Sequence, residues 1–222
     1  MDPRTLRARK ERARKITVTL KKLFPDAKMA LRYRNTWELL VAVMLSAQCT
    51  DKMVNRVTEK LFQKYPTFDD YTRADPEVFA EDIKSTGFYR NKAKNILSTA
   101  RLVREKFGGE VPDTMPELLT FPGVARKTAN IILGTAFGAI EGIAVDTHVK
   151  RFARKFDLSL FADPVKIERD LMEIFPKGEW SLLTYRLIEY GRTFCPARKH
   201  ECRNHPLTKI YPSAARRFPR AR

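Results

Sequence analysis

No stretch of this chain alternates apolar and polar residues over a useful length, whereas apolar spacings near 3.6 residues recur. From Ala93, the residues Ile96, Leu97, Ala100, Val103 and Phe107 fall on one helical face, and Gly108-Gly109 then stops the helix. Two Asp-Pro pairs mark helix starts. Asp75-Pro76 precedes Val78, Phe79 and Ile83, and Asp163-Pro164 precedes Ile167, Leu171 and Ile174. In each pair the carboxylate takes the N-cap and the proline takes the first helical position, where its missing N–H costs nothing. Between Trp37 and Ala47 almost every residue is apolar, which predicts a helix buried on most sides. The expected fold class is all-α, with no long linker and no internal repeat.

A chain of 222 residues can bury one large core or two modest ones. Lys plus Arg number 43 against 26 Asp plus Glu, a net charge of +17. Such an excess favours a polyanionic partner, and nucleic acid comes first because neutralising phosphates releases condensed counterions. A membrane surface comes second, but no basic amphipathic helix with a bulky apolar face stands out. No run approaches the ~18 apolar residues that span a bilayer. The first ten residues lack an apolar segment of the secretory type, and three cysteines do not make a disulfide framework. The expectation is a reduced, intracellular protein. Basic residues crowd positions 4 to 22 and 209 to 222; a charged terminus of this kind is more often a solvated or disordered arm than a specific reader.

The chemistry concentrates in Phe121-Pro-Gly-Val-Ala-Arg-Lys127-Thr-Ala-Asn130, followed 19 positions after the lysine by Asp146 in Ala144-Val-Asp-Thr-His148. Pro122-Gly123 marks a tight turn, and the run from Lys127 to Phe137 is apolar enough for a buried helix. A lysine in the first turn of such a helix meets outward-pointing N–H groups and the positive end of the dipole. Both disfavour the ammonium form, and Arg126 adds to them. An amine so placed can attack as a nucleophile and form a Schiff base, and a carboxylate within reach can manage the protons. A lysine after a glycine turn is, by itself, usually a solvated cap; the turn, the lysine and the later Val-Asp-Thr-His together raise the functional reading.

At these residues the chain closely resembles endonuclease III, a DNA glycosylase with lyase activity in the helix-hairpin-helix superfamily. The family pattern Leu-Pro-Gly-Val-Gly-Arg-Lys-Thr-Ala is matched except at Phe121 and Ala125, and Val-Asp-Thr-His is matched in full. The resemblance covers roughly residues 30 to 202. It implies two helical domains with the active site in a cleft between them: an inserted six-helix domain at 29–140 carrying the helix-hairpin-helix motif, and a second domain from 1–28 plus 141–222. It implies a monomer, cytoplasmic and nucleoid-associated in a prokaryote, that acts on double-stranded DNA containing damaged bases or abasic sites.

The resemblance also assigns positions. A hairpin from Phe121 to Ala125, preceded by a short helix near Pro116 to Thr120, presents backbone N–H groups to a phosphate, with Gly123, Ala125, Arg126 and Thr128 at the DNA. If position 125 needs a left-handed backbone, alanine costs about 1–2 kcal/mol there. Gln48, in Ser46-Ala-Gln-Cys-Thr-Asp51, matches a glutamine that enters the space left by an extruded nucleotide. Phe88 matches a leucine that wedges into the opposite strand, although a core residue after Gly87 is an equal reading. Asp51 matches a residue near the damage pocket. Lys127 is the nucleophile and Asp146 its partner, with oxidised pyrimidines as substrate. Alternatives are a glycosylase for mismatched thymine or uracil, a monofunctional glycosylase, which Lys127 argues against, and a non-catalytic DNA-binding relative. His148 reads as a structural hydrogen-bonding residue.

Members of this family hold a [4Fe-4S] cluster on Cys-x6-Cys-x2-Cys-x5-Cys. Here Cys195 and Cys202 keep the first spacing, but His205 and Tyr211 occupy the third and fourth positions. Two thiolates, an imidazole and a phenol are a poor set for such a cluster. Zinc on Cys195, Cys202 and His205 lacks an evident fourth ligand. The expectation is therefore no cofactor: the cluster is lost, zinc is disfavoured, and packing that includes Tyr211 fills the space.

Overall fold

The computed structural model describes residues 3–198 and 200–217. Regular structure among them is helical throughout: α1 (Pro3–Leu23), α2 (Thr36–Leu45), α3 (Asp51–Lys64), α4 (Phe68–Arg73), α5 (Pro76–Asp82), α6 (Tyr89–Phe107), α7 (Met115–Leu118), α8 (Arg126–Ala136), α9 (Thr147–Lys155), α10 (Pro164–Ile174), α11 (Trp180–Thr193), α12 (Pro206–Ile210) and α13 (Ala214–Arg217). Two compact units separate in the chain, one from Ala30 to Glu141 and one built from the residues up to Met29 and from Gly142 onward.

The central unit holds seven of the described α-helices, α2 to α8, where the resemblance implies six. Its central element is α2, buried from Trp37 to Leu45 as its unbroken apolar run requires. Asn35 caps it by accepting the Glu38 N–H at 2.9 Å. Asp75 caps α5 through the N–H groups of Glu77 and Val78, and Gly108, in the left-handed region, ends α6. Trp37, Tyr65, Tyr71 and Phe79 pack edge to face around one end of α2. Helix α8 packs on the same α2, so the segment carrying Lys127 rests on the most buried element of its unit.

In the other unit α1 packs on α10, α11 and α12. Ala13, Ile16 and Leu20 are buried along one stripe of α1, so the basic segment from residue 4 to 22 is a packed helix and not a solvated arm. Some of its charge is structural. Arg12 donates to the carbonyls of Phe156 and Asp157 at 2.8 and 2.7 Å, and the buried Arg9 lies 3.5 Å from the Asp157 carboxylate. Arg12 thereby satisfies carbonyls just past the end of α9, and Arg9 pairs with the Asp157 carboxylate. Asp163 caps α10 through the Lys166 N–H, as its sequence position predicts. The last five residues of the basic C-terminal stretch lie outside the described residues.

Candidate active site and DNA interface

The hairpin begins where α7 ends at Leu118, somewhat before the Thr120 expected from sequence. Phe121 is buried and meets the Phe107 ring edge-on, which fixes the turn against the C-terminal end of α6. The Val124 N–H closes the turn on the Phe121 carbonyl at 3.0 Å. Gly123 sits at φ +78°, and a Cβ there would lie 2.6 Å from Asn95 Nδ2. The backbone therefore favours glycine, and any side chain there would also have to displace the Asn95 amide. Gly123→Ala is expected to destabilise the protein by about 1–2 kcal/mol, from the left-handed backbone alone. Urea unfolding measures the effect.

Ala125 behaves differently. It is the N-cap of α8 with φ −99° and ψ 170°, an extended conformation open to any residue. The penalty considered for alanine at this position does not arise, and the departure from the family's glycine leaves the turn unstrained. Lys127 follows in the first turn of α8 with its side chain exposed, while Arg126 and Thr128 are half-buried beside it. Ala129, Asn130, Ile132 and Leu133 form the buried face that anchors the helix. An eleven-residue helix presenting an amine at its exposed start is a favourable place for an anion.

Asp146 is half-buried at the N-cap of α9, where its Oδ1 accepts the Val149 N–H at 2.8 Å. The run from Ile143 to Val145 before it is buried, and Val149 and Phe152 behind it are fully buried, so the carboxylate is held on both sides by core. His148 leans on Gly191 of α11, where any Cβ would lie 2.3 Å from its Nδ1, and Arg151 Nη2 lies 3.4 Å from the same nitrogen. Burial lowers the His148 pKa, with Asp146 opposing that shift. Its surroundings are those of a packing residue, in keeping with the sequence expectation.

Gln48 and Phe88 share an unusual backbone. Both lie in the left-handed region, at φ 54° and φ 50°, where a side chain costs about 1–3 kcal/mol. Gln48 is exposed in the tight link from α2 to α3, and Phe88 is 68% exposed at the start of α6. The core reading of Phe88 is thereby overturned: the strained turn throws the ring outward. A residue without an assigned role in the sequence holds both turns. The buried Lys92 donates from Nζ to the Leu45 carbonyl and to the Thr86 carbonyl, each at 2.8 Å, tying the end of α2 to the turn before Phe88. Burial lowers its pKa. Lys92→Met leaves both carbonyls without this donor and is expected to cost about 1–3 kcal/mol of stability by urea unfolding.

Near the C-terminus the chain gathers Cys195, His200, Cys202 and His205, whose ligand atoms all lie within 4.8 Å of one another. This group is able to hold a metal. The fourth donor missing from the sequence argument is thus His200, off the family spacing, and not Tyr211. Tyr211 packs against the core of its unit with the Arg12 guanidinium 4.0 Å from its ring centre. Both cysteines are free thiols, with sulfurs 3.8 Å apart, and burial pushes the Cys195 thiol up to about 11.

Residues 41–177 match the HhH-GPD superfamily of base excision DNA repair proteins. Endonuclease III of Synechocystis is 49% identical over 211 residues, covering 95% of this chain and 96% of the relative. Endonuclease III of Bacillus subtilis is 47% identical over 189 residues, covering 85% and 86%. Among solved structures, a trapped endonuclease III–DNA covalent intermediate in an estranged-adenine complex superposes with a TM-score of 0.88 at 43% identity, covering 95% of this chain and 99% of that one. This chain belongs to the HhH-GPD superfamily of base excision DNA repair proteins and, within it, to the endonuclease III family.

Proposed function

We propose that this protein is a bifunctional DNA glycosylase and abasic-site lyase that removes oxidised pyrimidines from double-stranded DNA. The observation that carries the reading is Lys127, an exposed amine at the start of a helix whose other face is buried, in a chain of the endonuclease III family. The solved relative is itself a covalent protein–DNA intermediate. The net charge of +17 suits a duplex partner, and no described helix is long and apolar enough to cross a membrane.

In this mechanism Lys127 Nζ, as the free amine, attacks C1′ of the extruded nucleotide. The C1′–N bond to lysine forms as the glycosidic bond to the damaged base breaks, and the base leaves with the bonding electrons and a proton. Asp146 stabilises the cationic sugar during this step. Opening of the sugar ring then gives the Schiff base. A proton leaves C2′, the C3′–O bond breaks and the 3′ phosphate departs by β-elimination; Asp146 assists these proton transfers. Water finally releases Lys127.

The interface residues follow from their turns. Gln48 enters the space left by the extruded nucleotide, and Phe88 wedges into the opposite strand, where its ring stacks on a base. Strain at two exposed positions supports both roles, since a glycine would relieve it and only an outward side chain gives a reason to bear it. Backbone N–H groups at Gly123 and in the first turn of α8, together with the Arg126 side chain, bind a phosphate. We also infer that the family's [4Fe-4S] cluster is absent: it requires four thiolates, and the converging donors here are two thiolates and two imidazoles.

A screen of duplex oligonucleotides tests the function. Cleavage is expected at oxidised pyrimidines and abasic sites, with release of the base and a β-elimination end. Activity confined to mismatched thymine or uracil, or base release without strand cleavage, contradicts the reading.

A further inference from the structure

We propose that Cys195, His200, Cys202 and His205 form a closed, structural site for a single tetrahedral zinc ion. The geometry carries this. A tetrahedral zinc with Zn–S bonds of about 2.3 Å and Zn–N bonds of about 2.0–2.1 Å sets its S–S edge near 3.8 Å and its S–N edge near 3.6 Å. The Cys195 and Cys202 sulfurs are 3.8 Å apart, and Cys202 Sγ lies 3.6 Å from His205 Nδ1. All four ligand atoms fall within 4.8 Å of each other. Ligands shared among several irons stand further apart, since each thiolate or imidazole then binds a different atom. These spacings describe one ion. The S–S separation also exceeds a disulfide bond of about 2.05 Å, so both cysteines are free thiols.

His200 supplies an independent argument. Its Nδ1 lies 2.7 Å from the Arg198 carbonyl oxygen, which can only accept, so Nδ1 carries the proton. That leaves the lone pair on Nε2, and Nε2 is buried without a hydrogen-bond partner among the described residues. A metal-binding histidine has this arrangement: one nitrogen donates to a backbone carbonyl, which fixes the tautomer, and the other points its lone pair at the ion. An unsatisfied buried nitrogen otherwise costs about 1–3 kcal/mol.

The thiolates are supported in the same way. Lys155, with no exposed surface, donates from Nζ to Cys202 Sγ at 2.9 Å. Arg151 donates to the Cys195 carbonyl at 2.6 Å and lies 3.8 Å from its sulfur. Such partners orient ligands and stabilise negative sulfur. The site lies in the irregular segment between α11 and α12, whose described residues form no helix. Four protein ligands leave no open coordination position, so the ion clamps this segment and takes no part in base removal.

Elemental analysis of the full-length protein, purified without chelator, tests the proposal independently of its repair activity. The expected result is about one zinc per chain, without stoichiometric iron or sulfide and without brown colour. Chelator-treated protein titrated with cobalt(II) is expected to show the visible d–d absorption of tetrahedral thiolate coordination. His200→Ala, a change in an irregular segment, is expected to weaken zinc binding by more than the ~10–100-fold that loss of a supporting hydrogen bond costs. Tyr211→Phe and Cys49→Ser keep the full zinc content. Folded protein with no stoichiometric metal, protein carrying iron and sulfide, cobalt spectra of octahedral type, or His200→Ala with wild-type affinity each overturn the site.

Discussion

Lys127→Ala is expected to abolish both the covalent intermediate and strand cleavage at abasic sites, while leaving the fold and duplex binding nearly intact. Removing a nucleophile costs on the order of 10³-fold or more in rate, because no neighbouring group restores the bond it makes. Structure predicts a small stability effect. Lys127 is exposed, and α8 is anchored by Ala129, Ile132 and Leu133 on its opposite face. Alanine also favours a helix. Single-turnover cleavage of an abasic duplex, beside thermal unfolding and a duplex-binding titration, separates chemistry from folding. Cleavage within tenfold of wild type assigns the reaction to another amine.

Asp146 requires a pair of substitutions, because it both caps α9 and, in the proposed mechanism, manages charge at the sugar. Asparagine is as good an N-cap as aspartate, so Asp146→Asn keeps the bond from the Val149 N–H and removes only the negative charge. It is expected to unfold near the wild-type temperature and to lose about 10²–10⁴-fold in base release, the usual range for an acid–base group. Asp146→Ala loses the cap as well and is expected to be less stable by about 0.5–2 kcal/mol. Base-release rates and unfolding curves for both variants make the division. An asparagine variant with wild-type rates reduces Asp146 to a structural cap.

Much of this was legible in the sequence where the cause is local. Asp75, Asp163 and Gly108 act through the backbone within a few residues, so their roles as caps follow from position alone. The buried character of α2 is written in its unbroken apolar run. The role of α1 was hidden, because Ala13, Ile16 and Leu20 form a narrow stripe among basic residues, and Arg9 and Arg12 find their partners near residue 157 only in the folded chain. Phe88 could not be placed, since core and surface residues both follow glycine turns; its left-handed backbone decides the matter.

The same distinction applies to the candidate sites. Lys127, Gly123 and Asp146 could be singled out by motif, yet the conformation of Ala125 depends on its becoming the N-cap of α8, which no single residue type signals. Lys92 carried no flag, because a lysine in a basic chain looks like surface until its two carbonyl partners are known. His200 was missed because it falls outside the family's ligand spacing, and only the path of the irregular segment brings it beside Cys195, Cys202 and His205.

Borohydride trapping on an abasic duplex, followed by protease digestion and mass mapping of the adduct, tests the central claim most directly. The account predicts a reduced adduct on the peptide containing Lys127, with modification at that residue and none in Lys127→Ala. An adduct on another amine, or one that persists undiminished in Lys127→Ala, contradicts it.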